Sequence, residues 1–301
     1  MYYCVDAFGE FPGYDRELIE RRERELLAKS DVVLTTSRPL YDTKCQLHPN
    51  VHLVQHGVDQ GHLARAVTED LPVPSDLRVL PKPVFGFVGV VGEWVDMDLL
   101  AALARHRPDA SIVIIGPAVT SRAPLNDLHN VHWLGPRDHH ELPNYLRGFD
   151  VGLIPFKKVP LTLHANPIKL YEYLAAGVPV VSTSLPAVRP IDQSVWLADD
   201  PATTIEACAR ALRHNDRAAR QHRSQLMASE SWTVRLELIS EIIGNALKDQ
   251  AASKRRLAVP RAAPTRVARD AAKRQDTRPV LQSAIPNPQS AISGAPNHTS
   301  P

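Results

Sequence analysis

Two hydrophobic periods alternate along the first 250 residues. Short apolar runs predict strands over 2–5, 31–36, 51–56, 85–89, 111–115, 131–134, 151–155, 180–183 and 195–197. Apolar positions three and four apart, with start and stop signals, predict helices over 15–29, 38–45, 97–105, 141–147, 201–213 and 234–247. The first of these carries Leu18, Ile19, Leu26 and Leu27 on one side, and Asp96 stands where a cap for the helix at 97 belongs. A stretch with Pro72, Pro74, Pro81 and Pro83 interrupts the rhythm. Strand, helix and glycine turn alternate on both sides of it, the pattern of an α/β protein with doubly wound parallel sheets. The expected organisation is a βαβαβ unit over 1–66, a linker over 67–82 and a larger Rossmann-like unit over 83–248.

The densest local signal is NPIKLYEYLAAGVPVVST, residues 166–183. It reads as a helix followed by a buried strand. Asn166 is suited to accept from the free N–H groups of the first turn, and Pro167 to the first helical position. Gly177 stops the helix and Pro179 prevents its restart. Lys169 and Glu172 share a face. A helix N-terminus offers N–H donors and partial positive charge to a phosphate, and Lys169 adds a full charge. Glu172, one turn deeper, is placed to accept from sugar hydroxyls. By spacing alone, the two residues read as an ordinary surface ion pair.

This segment resembles the donor-binding signature of GT-B glycosyltransferases, the group that includes family 4, and within it a bacterial polysaccharide-type subgroup. The resemblance implies that Glu172 holds the ribose of a nucleotide sugar. The family pattern has a second glutamate eight residues earlier, which touches the transferred sugar; His164 occupies that place here. Residues 2–6 resemble a late strand of the family's first domain. His56-Gly57-Val58-Asp59 resembles its crossing into the second. The resemblance covers residues 1–247. It implies a complete C-terminal Rossmann-like domain and only the end of the N-terminal, acceptor-side domain, most of which would precede Met1. Gly86-Phe87-Val88-Gly89-Val90-Val91-Gly92 is a weak motif alone. Its Gly89 and Gly92 read either as turn chemistry or as room for a pyrophosphate. Where the family has an arginine and a lysine, Val90 and Asp96 stand, which leaves Lys169 to neutralise phosphate. Arg137, in Leu134-Gly135-Pro136-Arg137, matches a loop near the nucleobase, or is a surface arginine. The resemblance thus names Gly89, Gly92, Arg137, His164, Asn166, Lys169 and Glu172 as donor-binding, with the catalytic group unassigned.

Composition narrows the alternatives. Nine basic and two acidic residues lie in 251–301, against a net charge of +2 for the whole chain, leaving residues 1–250 at −5. The folded part is a poor nucleic-acid binder on charge. From 249 onward there are seven prolines and no aromatic residue, which predicts a disordered basic tail. Cys4, Cys45 and Cys208 form no C-x-x-C pair and suggest a reducing cytoplasm. His139 and His140 lack the companions of a metal site, and no metal or cofactor is expected. Glu93 and Trp94 could line a cleft. The expected function is transfer of a sugar from a nucleotide-diphosphate donor to a glycan or lipid-linked acceptor, in the cytoplasm or peripherally at the inner membrane face. The alternatives are a non-catalytic nucleotide-binding remnant and a GT-B-fold epimerase.

Overall fold

The computed structural model describes residues 1–189, 191 and 193–258. Near the start of the chain, β1 (Tyr2–Cys4), β2 (Val33–Thr35) and β3 (Val51–Leu53) form a parallel sheet in that order. The crossovers are α1 (Arg16–Lys29) and α2 (Arg38–Cys45). Both begin on side-chain caps: Asp15 accepts from the Leu18 N–H at 2.9 Å, and Ser37 from that of Leu40 at 3.3 Å. The proline-rich stretch is not bare linker. Three short helices, α3 (Gln60–Leu63), α4 (Arg65–Thr68) and α5 (Ser75–Arg78), lead into the second sheet.

That sheet contains β4 (Val84–Val88), β5 (Ser111–Ile115), β6 (Val131–Gly135), β7 (Val151–Ile154), β8 (Val180–Ser182) and β9 (Val195–Leu197), all parallel. Its order is β6-β5-β4-β7-β8-β9, so the winding reverses between β4 and β7. Side chains alternate between its faces with period two. Phe85, Phe87, Ile112 and Ile114 face α6 (Met97–His106) and α10 (Pro201–Arg213). Val84, Val88, Val113 and Ile115 face α7 (Leu142–Arg147) and α9 (Ile168–Ala175). The loop between β7 and α9 includes a single-turn helix, α8 (Pro160–His164).

Val58, Leu63, Ala66 and Leu77 share a core with the larger sheet, so the packing continues across residues 67–82. Residues Met1–Gln250 form one compact unit. A polar helix, α11 (Arg217–Leu226), packs on α9. Its Arg223 is 1% exposed and donates to the carbonyls of Gly177 and His214 and to Asn215. The last helix, α12 (Trp232–Ala258), returns to the small sheet, where Ile239, Ile242 and Ala246 cover Val32, Leu34 and Val54. It continues past residue 249, where the sequence suggested that order ends. Ala, Lys and Arg in 251–256 favour helix, and the next proline is Pro260. Residues 259–301, which hold the rest of the expected disordered tail, lie outside the described residues.

Candidate functional site

In an open α/β sheet, ligands settle beyond the carboxyl ends of the strands, where the winding reverses. Here β4 and β7 part early: their pairing comprises Phe85 with Val151 and Gly86 with Gly152. Val88, at the end of β4, pairs with Ile115 of β5 and not with β7. Its N–H donates to the hydroxyl of the fully buried Tyr173, on α9, at 2.8 Å. A side chain of the signature helix thus replaces a strand and holds the crevice open.

Lys169 and Glu172 lie on this helix, Lys169 in its first turn. The Lys169 ammonium donates to Glu172 Oε2 at 2.6 Å. The side chains are 22% and 9% exposed, so the pair is no ordinary surface contact. An ammonium has three N–H donors and a carboxylate two oxygens, so each partner keeps capacity for a ligand. Gly89 brings the end of β4 beside them: a Cβ built on it would lie 3.9 Å from Lys169 Cε. The Gly89 turn is fixed from behind. Gly116, at φ +136°, packs so closely that a Cβ there would stand 2.0 Å from the Gly89 carbonyl oxygen.

The other sequence-singled residues spread over neighbouring features. Gly92 lines a cleft of about 710 Å³ with Trp94, Ser121, Lys157 and, from the front of the chain, Glu10 and Pro12. A Cβ on Gly92 would strike the Trp94 ring at 2.4 Å, and Phe11 packs edge-on against that ring. Glu93 lines the same cleft. His164 lines a different cleft of about 330 Å³, with Ala7, Glu10, Glu23 and Lys44. Its Nδ1 lies 2.7 Å from the Pro160 carbonyl. A carbonyl only accepts, so Nδ1 carries the proton and a neutral ring presents Nε2 as an acceptor.

One expectation is corrected. Asn166 does not cap the signature helix with its side chain; the helix begins at Ile168 with Pro167 at the cap position. Asn166 is buried, its Nδ2 donating to the Thr36 carbonyl at 2.9 Å and its Oδ1 accepting from the Tyr171 hydroxyl at 3.2 Å. With both polar ends engaged inside the protein, it ties the signature loop to the small sheet. Ser37 makes a parallel tie, donating to the His164 carbonyl at 2.5 Å. Arg137 is likewise engaged by the protein. Its Nη2 donates to Asp76 at 2.8 Å, its Nε to the Tyr145 hydroxyl at 2.6 Å and its Nη1 to the Pro136 carbonyl. It pins α5 to the loop after β6. Sequence reasoning passed over Thr36 and Glu10, which only the fold brings to the seam between the sheets.

Asp138, His140 and Glu141 place their ligand atoms within 4.8 Å of one another. Asp138 and His140 are exposed, and Glu141 accepts from the Asp138 N–H at a helix start. The carboxylates of Asp138 and Glu141 thus stand beside His140, where the sequence reading expected no such companions.

The comparisons with known proteins agree with this geometry. Residues 82–214 match the family model "Glycosyl transferases group 1". Over 244 residues the chain is 29% identical to the putative teichuronic acid biosynthesis glycosyltransferase TuaH of Bacillus subtilis (strain 168), covering 77% of this chain and 61% of that one. The chain therefore spans about three fifths of the length of this curated relative. Among solved structures, Anabaena Alr3699/HepE in complex with UDP and glucose superposes with a TM-score of 0.64 at 14% identity, over 81% of this chain and 70% of that one. TarM gives 0.55 at 12% identity, over 80% and 49%. A parallel sheet wound in this order, a signature helix at its switch point and solved structures that superpose on both lead to one conclusion: the chain has the GT-B type of fold, and its residues 82–214 match the group 1 glycosyl transferases.

Proposed function

We propose that the protein transfers a hexosyl group from a nucleoside-diphosphate sugar to a hydroxyl of a polysaccharide or lipid-linked glycan. The observation that carries this reading is the shielded Lys169–Glu172 pair in the first turns of α9, beside Gly89 at the switch point. As the bond from sugar to β-phosphate breaks, negative charge grows on the diphosphate. Lys169 and the N–H groups opening α9 stabilise that charge, the kind of preorganised electrostatics that supplies much of enzymatic rate enhancement. Glu172 accepts from the ribose hydroxyls, and Gly89 lets the backbone approach phosphate. In this reading Lys169 and the helix do the work of a cation, and no metal or cofactor is required.

Uridine is the favoured base, since the structural neighbour Alr3699/HepE is described in complex with UDP. A glycan acceptor is favoured because the curated relative is named for teichuronic acid biosynthesis. Among the described residues no helix is long and apolar enough to cross a membrane. We place the reaction in the cytoplasm, with peripheral contact at the inner membrane face where a lipid-linked acceptor would be met. The test is calorimetric titration with UDP, GDP and ADP, repeated on Lys169→Ala and Glu172→Ala. One nucleotide should bind saturably, and each substitution should weaken it by about tenfold or more, ~1.4 kcal/mol. A folded chain that binds none of the three, or variants that bind as the parent does, would refute the donor site.

A further inference from the structure

The loop that follows β4 is strapped to its neighbours on both sides. Toward β5, the Val91 N–H donates to the Pro117 carbonyl and the Val91 carbonyl accepts from the Val119 N–H, both at 2.9 Å. Toward β7, the Trp94 carbonyl accepts from the Lys157 N–H at 2.8 Å, and the Asp96 N–H donates to the Pro155 carbonyl at 2.7 Å. The Asp96 carboxylate is taken up by the N–H groups of Asp98 and Leu99, where α6 begins. Three tied loops at the carboxyl ends of adjacent strands, joined by Glu10 and Pro12, thus frame the cleft of about 710 Å³. That volume falls within the ~300–1,000 Å³ of preformed small-molecule sites. Its backbone groups are spent in the ties, so side chains do the recognising.

The aromatic surface in this cleft is Trp94. Its ring is clamped between Gly92, where a Cβ would strike it at 2.4 Å, and Phe11, which meets it edge-on at 6.0 Å. A ring already fixed loses little freedom when a ligand lies on it. The charged residues lining the cleft are Glu10, Glu93 and Lys157. Glu10 is shared with Arg16 at 3.0 Å. Lys158 is held by Asp199 at 2.7 Å, but Lys157 and Glu93 enter no ion pair among the described residues. Thr120 and Ser121 add hydroxyls.

Two carboxylates against one ammonium disfavour an anionic occupant. A carboxylate only accepts hydrogen bonds and an ammonium only donates, whereas a sugar hydroxyl does both. A pyranose also carries an apolar C–H face that matches an indole. We propose that this cleft binds a pyranose ring of the acceptor glycan, stacked on Trp94 with its hydroxyls held by Glu93 and Lys157. Gly92 is three residues from Gly89, a span of at most about 11 Å. Gly89 stands beside Lys169, so the cleft opens next to the diphosphate end of the donor site and apart from it. The acceptor role rests on the donor reading above.

The test incorporates 5-fluorotryptophan into the full chain, which gives ¹⁹F signals for Trp94, Trp133, Trp196 and Trp232; Trp94→Phe assigns the first. The probes are methyl pyranosides of glucose, galactose, mannose, N-acetylglucosamine and N-acetylgalactosamine, each taken to about 100 mM with and without saturating UDP. At least one should move the Trp94 signal saturably, with a Kd of about 1–10 mM, while the other three signals stay. Sorbitol, which has the hydroxyls without the ring, should move none. UDP should leave the sugar's Kd within about twofold or tighten it. Glu93→Gln and Lys157→Met alter exposed side chains, so both variants should fold, and each should weaken the sugar by about fivefold or more. A Trp94 signal that no pyranoside moves, or that sorbitol moves equally, would overturn the proposal. So would displacement of the sugar by UDP, which would give the cleft to the nucleotide, or parental affinity in both variants. Absence of UDP binding in the calorimeter refutes the donor reading and the acceptor role with it. Absence of a sugar response while UDP binds refutes this site alone.

Discussion

Tyr173→Phe removes one oxygen from the centre of the protein and leaves every carbon in place. The hydroxyl accepts from the Val88 N–H at 2.8 Å, in a position where neighbouring β7 supplies no acceptor. The Tyr173 side chain is fully buried, so water does not take over. The variant leaves a buried amide without a partner, a loss of roughly 1–3 kcal/mol, with little cavity cost because the ring remains. Taking about 2 kcal/mol and a urea slope of about 3 kcal/mol per molar, the unfolding midpoint should fall by about 0.7 M with the slope unchanged. Amide exchange at Val88 should accelerate while that at Ile112, in the middle of β5, follows global stability. Since the same hydroxyl props open the crevice, UDP affinity should also fall. A midpoint shift under about 0.2 M, with Val88 still protected, would show that this bond does not support the end of β4.

Three further outcomes follow from the same contacts. Asp6 has a folded pKa raised from 3.8 to about 6, so the native state holds a proton there that the unfolded chain releases. The resulting stability is complete below about pH 4 and lost as pH rises through 6. Asp6→Asn should therefore be the more stable protein above pH 6, by about 1–2 kcal/mol after allowing for partial exposure, and the advantage should vanish near pH 4; thermal melts at both pH values decide it. Arg137→Ala should leave UDP affinity within about twofold and cost about 0.5–1 kcal/mol of stability, and a large loss of UDP affinity would put Arg137 in the donor site instead. Gly116→Ala forces a methyl against the Gly89 carbonyl at a backbone angle that alanine resists. It should lower stability by about 1–3 kcal/mol and weaken UDP about tenfold, and unchanged calorimetric binding would sever Gly89 from the site.

The alternation of short apolar runs with helical spacing revealed the doubly wound architecture because each strand is buried on both faces, as parallel strands require. The helix from Ile168 and the strand after it were readable from proline, glycine and periodicity alone. What stayed hidden depended on distant partners. Nothing near Asn166 announces Thr36, 130 residues earlier, yet that contact converts an apparent cap into an internal tie. Nothing near Arg137 announces Asp76. Helix α11 was missed because it buries Arg223 and Ser224, and hydrophobic periodicity does not register a helix whose inner face is satisfied by backbone carbonyls. The expected strand over 51–56 shortened to Val51–Leu53 because β2 offers it only three residues. His164 and Lys169 were expected together, and the fold sends the first toward the small sheet and the second toward Gly89.

The ties from Thr36 and Ser37 to residues 164–166 have a thermodynamic consequence. The loop they grip leads directly into the turn that carries Lys169, so the small sheet and the phosphate-facing end of α9 are mechanically in series. Any ligand that favoured one arrangement of β2 would thereby favour one arrangement of Lys169. By linkage, the factor by which such a ligand tightened nucleotide binding would equal the factor by which nucleotide tightened its binding. Cutting either tie should reduce that shared factor in both directions, even where each ligand bound alone keeps its affinity.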